Sequence, residues 1–160
     1  MKIHAVIFAA IALAVTLGAQ TADPRLTVAD VEKVTGMKGI QQVGPGAVPG
    51  AGGGLNFASA DKHMVVMVNF GTADLYRHAR AQTEMKVGGQ TIPMPLFHAE
   101  VKGVGDEAFD SPPGATQYVL YARKGNQAIS VTTYLRLGNP KPVLTMDQLK
   151  GIASIVLSRM

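Results

Sequence analysis

The segment QYVLYARKGNQAISVTTYL, residues 117–135, alternates apolar and polar side chains on both sides of a Lys-Gly-Asn centre. Period-two alternation marks a strand with one buried face. Two such runs joined by a short glycine-containing turn form an antiparallel hairpin. The spacing predicts strands over Gln117–Arg123 and Gln127–Leu135, with the turn on Gly125-Asn126 or on Lys124-Gly125. Either turn puts Tyr118, Leu120, Ala122, Ile129, Val131, Thr133 and Leu135 on one face, because the two registers differ by an even number of residues. Val119, Tyr121 and Tyr134 then lie on the other face. A hairpin alone is marginal in water, so other elements must cover it.

A second hairpin is predicted upstream, pairing Leu55–Ser59 with His63–Phe70 across Ala60-Asp61-Lys62. Strict alternation puts Leu55, Phe57, Met64, Val66, Val68 and Phe70 on one face. Asn56, Ala58, His63, Val65, Met67 and Asn69 fall on the other, which is mixed in character. Thr72 is placed to cap a helix running from Ala73 to about Glu84, with a thin apolar side of Leu75, Ala79 and Tyr76.

Helical signals open and close the rest of the chain. Leu26-Thr27-Val28-Ala29-Asp30-Val31 carries an N-cap threonine, an acid in the first turn, and a Leu26–Val31 staple. Gly36 is placed to end that helix. Thr145 and Gln148 form a capping box, and Leu144 can staple onto Leu149. Leu149, Ile152, Ala153 and Val156 follow at helical spacing. Arg159 suits the negative pole of this last helix. The expected fold is therefore α+β: an antiparallel sheet built from two hairpins, each followed by a helix, with an additional N-terminal helix. Two stretches read as loops. Val43–Gly54 holds Pro45, Pro49 and six glycines, and reads as a flexible connector; Gly88–Glu100 holds Pro93 and Pro95. Long loops inside a domain are where a binding site is to be sought.

The first residues, MKIHAVIFAAIALAVTLGAQTA, place Lys2 before an apolar run from Ala5 to Gly18. Small residues follow. This is the layout of a secretory signal peptide, cleaved after Ala19 or Ala22, and the run is shorter than the roughly 18 to 20 residues that span a bilayer. The expectation is a leader over 1–19 and one soluble domain over 20–160, secreted and periplasmic, without stable membrane insertion. The chain has no cysteine. Disulfides and lipid attachment to cysteine are thereby excluded, so stability must come from a packed core.

The formal charge is +4, but the cations are scattered from Lys33 to Arg136 and there is no tryptophan. Nucleic-acid binding normally needs a concentrated basic patch, so that function is not expected. Gly103, Gly105 and Ala108 match G-x-G-x-x-A. A dinucleotide loop must open a helix and be followed by an acid about 20 residues on; here Pro112 and Pro113 intervene and no acid follows, so no cofactor is expected. No serine sits in a nucleophile motif. Asp106 and Glu107, with Arg123 approaching across the sheet, could do acid–base work if their environments differed. The structural alternative is that Asp106 bonds neighbouring backbone N–H groups in a turn, Glu107 faces water, and Ala108 and Phe109 enter the core. His63 with Met67, and Met94 with His98, offer the soft ligands of a periplasmic copper carrier, although methionine also fills core gaps. No catalytic residue and no metal ligand is assigned.

Read together, LTVADVEKVTG, GVGDEAF and YVLYARKGNQAISV resemble uncharacterised bacterial envelope proteins, including actinobacterial secreted lipoproteins of unknown function. They are also similar to extracellular sensor domains of bacterial serine/threonine kinases. The chain departs from both in lacking their cysteines. The resemblance implies an α+β fold and an envelope location, and no functional residue. The functional expectation is a non-catalytic binding or accessory module with an envelope partner, with Asp106, Glu107, Arg123 and His98 as candidate ligand-binding residues. A small hydrolase using Asp106 and Glu107, and a periplasmic copper-binding protein, are the alternatives.

Overall fold

A computed structural model describes residues 23–112, 114, 117–135 and 141–160. The predicted signal peptide lies outside these residues. The fold is α+β. Three helices and a seven-stranded antiparallel sheet carry it, with a separate two-stranded ribbon. The sheet is assembled from β1 (Gln41–Val43), β2 (Leu55–Ala58), β3 (Met64–Thr72), β9 (Gln127–Tyr134), β8 (Gln117–Lys124), β7 (Glu107–Asp110) and β6 (Ala99–Glu100), in that order across its width.

Both predicted hairpins are present. Lys124 pairs with Gln127, so the second turn is Gly125-Asn126. Leu120, Ala122, Ile129 and Val131 are buried on the expected face. The first hairpin departs from strict alternation. Phe57 pairs with Val66, but Ala58 pairs with Met64, which leaves Val65 as an extra residue in a bulge. A bulge sets two successive side chains toward one face and reverses the alternation beyond it. Val65 therefore joins Val66 in the main core, while Met64 packs with Ala58 and Val48 on the opposite side. The predicted faces of Met64 and Val65 are exchanged.

The main core lies between one sheet face and two helices, α1 (Val28–Thr35) and α3 (Met146–Ser158). Both helices start as predicted. Thr27 and Asp30 form a capping box, as do Thr145 and Gln148. Both staples are buried: Leu26 and Val31, Leu144 and Leu149. Gly36 closes α1. Burying aliphatic side chains such as these is worth about 1.5–3 kcal/mol each. Arg159 does more than sit at the pole of α3. Its guanidinium donates to both carboxylate oxygens of Asp30, at 2.7 and 3.0 Å, and to the Pro24 carbonyl. The end of α3 is thus fastened to the start of α1.

The other sheet face carries two smaller clusters, with Phe97 packed on one of them. Helix α2 (Ala73–Ala81), capped by Thr72, covers one end. It stops three residues short of the predicted Glu84, because Glu84–Val87 (β4) pairs with Gln90–Pro93 (β5) as the ribbon. The stretch predicted to be a loop over 88–100 thus contains β5 and β6. At the other end lies the glycine-rich loop. The sequence suggests a free connector, but the buried Asn56 binds it at three points: its side chain accepts from the Gly52 N–H and donates to the Gly52 and Gly54 carbonyls. Tyr134 adds a hydroxyl donated to the Gly50 carbonyl at 2.8 Å.

Candidate functional site

The GVGDEA segment turns into β7 and lies against the β8–β9 turn. Gly105 has φ +57°, and a Cβ there would stand 2.2 Å from the Arg123 carbonyl oxygen. Only glycine lets the backbone come this close. The close approach has a purpose in the sheet: the Asp106 N–H donates to the Arg123 carbonyl at 2.8 Å, and the Asp106 carboxylate accepts from the Gly125 N–H at 2.7 Å. The predicted turn bond is thus made to the neighbouring hairpin, nineteen residues away, rather than within its own turn. Arg123 grips Glu107 with two bonds, at 2.7 and 3.1 Å, and holds its carboxyl below the usual range. Ala108 and Phe109 are both buried but point to opposite faces, into the main core and the core under α2 respectively.

Asp106, Glu107 and Arg123 therefore come together, as the sequence suggested. An open hollow of about 320 Å³ runs along residues 100–108 past both acids. Both carboxylates are about half exposed, at 52% and 47%, and each is bound to a structural partner. Acid–base catalysis needs two carboxyls held in contrasting environments, and this pair shows no such contrast of burial.

His98 lies apart from them, beside the far end of β7. Its Nδ1 is 3.2 Å from Asp110. Asp110 is buried, and its carboxylate also accepts from the Ala99 N–H at 2.9 Å and the Tyr118 hydroxyl at 2.6 Å. Burial and this adjacent carboxylate push the Tyr118 phenol well above its ordinary pKa. A buried carboxyl group must find polar partners, so Asp110 organises this corner, with the His98 ring nitrogen beside the Ala99 N–H and the Tyr118 hydroxyl.

Among the described residues, no group of three or more His, Asp or Glu is placed to hold an ion. Through the bulge, Met64 and Met67 share the outer face, but the Met67 sulfur receives the Tyr134 hydroxyl at 3.9 Å. His63 faces Asp61 at 3.6 Å in a separate hollow of about 400 Å³.

The most site-like feature lies on the outer face beside α2, and the end of the glycine-rich loop, at Gly54, lies against the Asn69 side-chain oxygen. A cleft of about 180 Å³ opens between α2 and the sheet. Register builds its floor. Asn69 is directly opposite Ser130, and Ser130 is directly opposite Tyr121. Asn69, Ser130 and Tyr121 thus stand side by side on three adjacent strands, their backbones about 4.8 Å apart from strand to strand. The Asn69 amide and Ser130 hydroxyl are 3.4 Å apart, a long contact that leaves both with spare hydrogen-bonding capacity. Tyr121 stacks one ring face on Phe109, at 4.7 Å and 16°, and turns toward the cleft beside Ser130; burial raises its phenol pKa. Leu75, Tyr76 and Ala79 of α2 form the apolar wall. Tyr76 is buried, and its hydroxyl has no hydrogen-bond partner among the described residues. Burial is the main reason its phenol pKa is raised, with the nearby Arg80 opposing the shift.

The sequence reading named Tyr121 as an outer-face aromatic and missed Asn69 and Ser130. The available signal was the polar residues interrupting the outer side of two otherwise apolar strands. In comparisons with known proteins, the chain matches no family model, no curated protein and no solved structure. Among the described residues, no helix is long and apolar enough to cross a membrane.

Proposed function

We propose that this chain is an exported envelope protein that works as a non-catalytic binding module, with the cleft beside α2 as its site. The leader-like N-terminus supports export, and the resemblance of its short motifs to envelope proteins points the same way. The observation that carries the binding reading is the row Asn69–Ser130–Tyr121, which lines a cleft beside an apolar wall. A concave site with apolar walls and a few converging polar groups is the ordinary form of a small-ligand pocket. The hydrolase alternative draws less support, because Asp106 and Glu107 are engaged in joining β7 to its neighbours.

Two measurements test this. Intact mass of the exported product should show a chain beginning at Gln20 or Asp23. A screen of small neutral ring compounds, followed by amide chemical shifts, should move Gly71, Tyr76 and Ser130 together. Perturbations gathered around residues 98–110, or absent everywhere, would show that the cleft is not the site.

A further inference from the structure

We infer that the cleft takes a single neutral sugar ring, a pyranose, seated against Tyr121 and hydrogen-bonded to Asn69 and Ser130. This rests on the binding reading above and names the class of ligand. Size limits the ligand first. At about 180 Å³ the cleft is smaller than the roughly 300 Å³ at which drug-sized sites begin, so the part of a ligand that it holds is about one ring.

Charge limits it next. No ionisable acid or base other than the tyrosine phenols lines the cleft. The guanidiniums near its edge, Arg123, Arg80 and Arg25, are committed to Glu107, Glu100 and Asp23. A charged ligand would lose its hydration without gaining a counter-ion.

The walls then select among neutral rings. Phe109 covers one face of Tyr121. The small Ser130 is its partner on the strand opposite Phe109, and Tyr121 lines the cleft. Aromatic side chains offer apolar area with a polar tip, and this one stands next to Ser130 across the strands. A planar aromatic ligand would use the ring face and leave the amide and hydroxyls unpaired, which costs affinity. A pyranose uses both. Its C–H face packs on Tyr121 and the α2 wall, and its hydroxyls meet the Asn69 amide and the Ser130 hydroxyl. Asn69 and the hydroxyls each both donate and accept, which matches a sugar hydroxyl better than a purely accepting carbonyl.

The test uses the mature chain and two kinds of probe: the methyl pyranosides of glucose, galactose, mannose and N-acetylglucosamine, and benzyl alcohol as a planar ring. At least one pyranoside should shift the amides of Asn69, Ser130 and Tyr121 saturably, with affinity of about millimolar, the ordinary reach of so small a ligand. Ser130→Ala and Asn69→Ala should each weaken it about tenfold, with spectra otherwise native. Tyr121→Phe, which keeps the ring wall, should weaken it less. Should benzyl alcohol bind in the cleft while no pyranoside does, the cleft is a binding site and the sugar inference is wrong. Should neither probe bind, both readings fall. Pyranoside binding unchanged by Ser130→Ala and Asn69→Ala would also overturn the inference, because the polar row would then have no part in it.

Discussion

Gly105 and Gly125 have nearly the same backbone conformation, with φ +57° and +58°, yet they are held to it by different causes. At Gly125 a Cβ would meet nothing within 4 Å, whereas at Gly105 it would strike the Arg123 carbonyl. Gly125→Ala should therefore cost only the left-handed penalty, about 1 kcal/mol. Gly105→Ala adds a backbone collision and should cost about 3 kcal/mol or more. In melting temperature that is a loss of a few degrees against roughly 10 °C, and equal losses would mean that the close approach is unimportant. The sequence could flag both glycines as turn residues. It could not show that one of them faces another strand, since that contact is made across eighteen residues by the sheet register. His98 is a comparable case: it stood out as an exposed candidate, and its meaning came from Asp110, whose burial has no local signature in the sequence.

Among the elements, the ribbon of β4 and β5 is the least supported by its surroundings. Met85 pairs with Ile92, and Val87 lies on the same side, as does Met94 beyond the last pair. All four are among the large apolar side chains that remain exposed. A two-stranded unit without a covered face has little to stabilise it. Amides of 84–93 should exchange with solvent faster than those of β3, β8 and β9 by several orders of magnitude, as hydrogen exchange will show; comparable protection would imply packing that the isolated fold does not provide. This ribbon was illegible in the sequence because Gly88-Gly89 and two prolines within a short stretch read as a loop. The main hairpins were legible because each buries a continuous apolar face, and α1 and α3 because caps and staples coincide with their apolar stripes. The bulge at Val65 was not: an apolar residue at every position from Met64 to Val68 leaves no polar marker to reveal a reversal of faces.

At the scale of the molecule, the helical layer is closed by Asp30 and Arg159, which join the first and last helices. The Arg159 guanidinium, helped by Thr27, holds the Asp30 carboxyl far below its ordinary pKa. A carboxyl whose pKa is lower folded than unfolded contributes stability above its unfolded value, and that contribution is lost as pH falls toward the folded one. The melting temperature of the wild type should thus exceed that of Asp30→Asn by a constant margin above about pH 5. The margin should shrink steadily below about pH 4. A margin that stays constant into acid would mean that the link is not the charged pair described.

The seven-stranded sheet begins on a strand of three residues and ends on one of two. Its rims thus offer few open backbone groups to a passing chain, and strand addition is discouraged where an unprotected sheet would grow. The ribbon is the longer open rim, four residues on each strand, but Pro93 lacks a donor there and Lys86 brings a charge. For a protein that has no disulfide to keep it closed, crowding is met by geometry: the molecule is built to meet its neighbours with side chains rather than with its backbone.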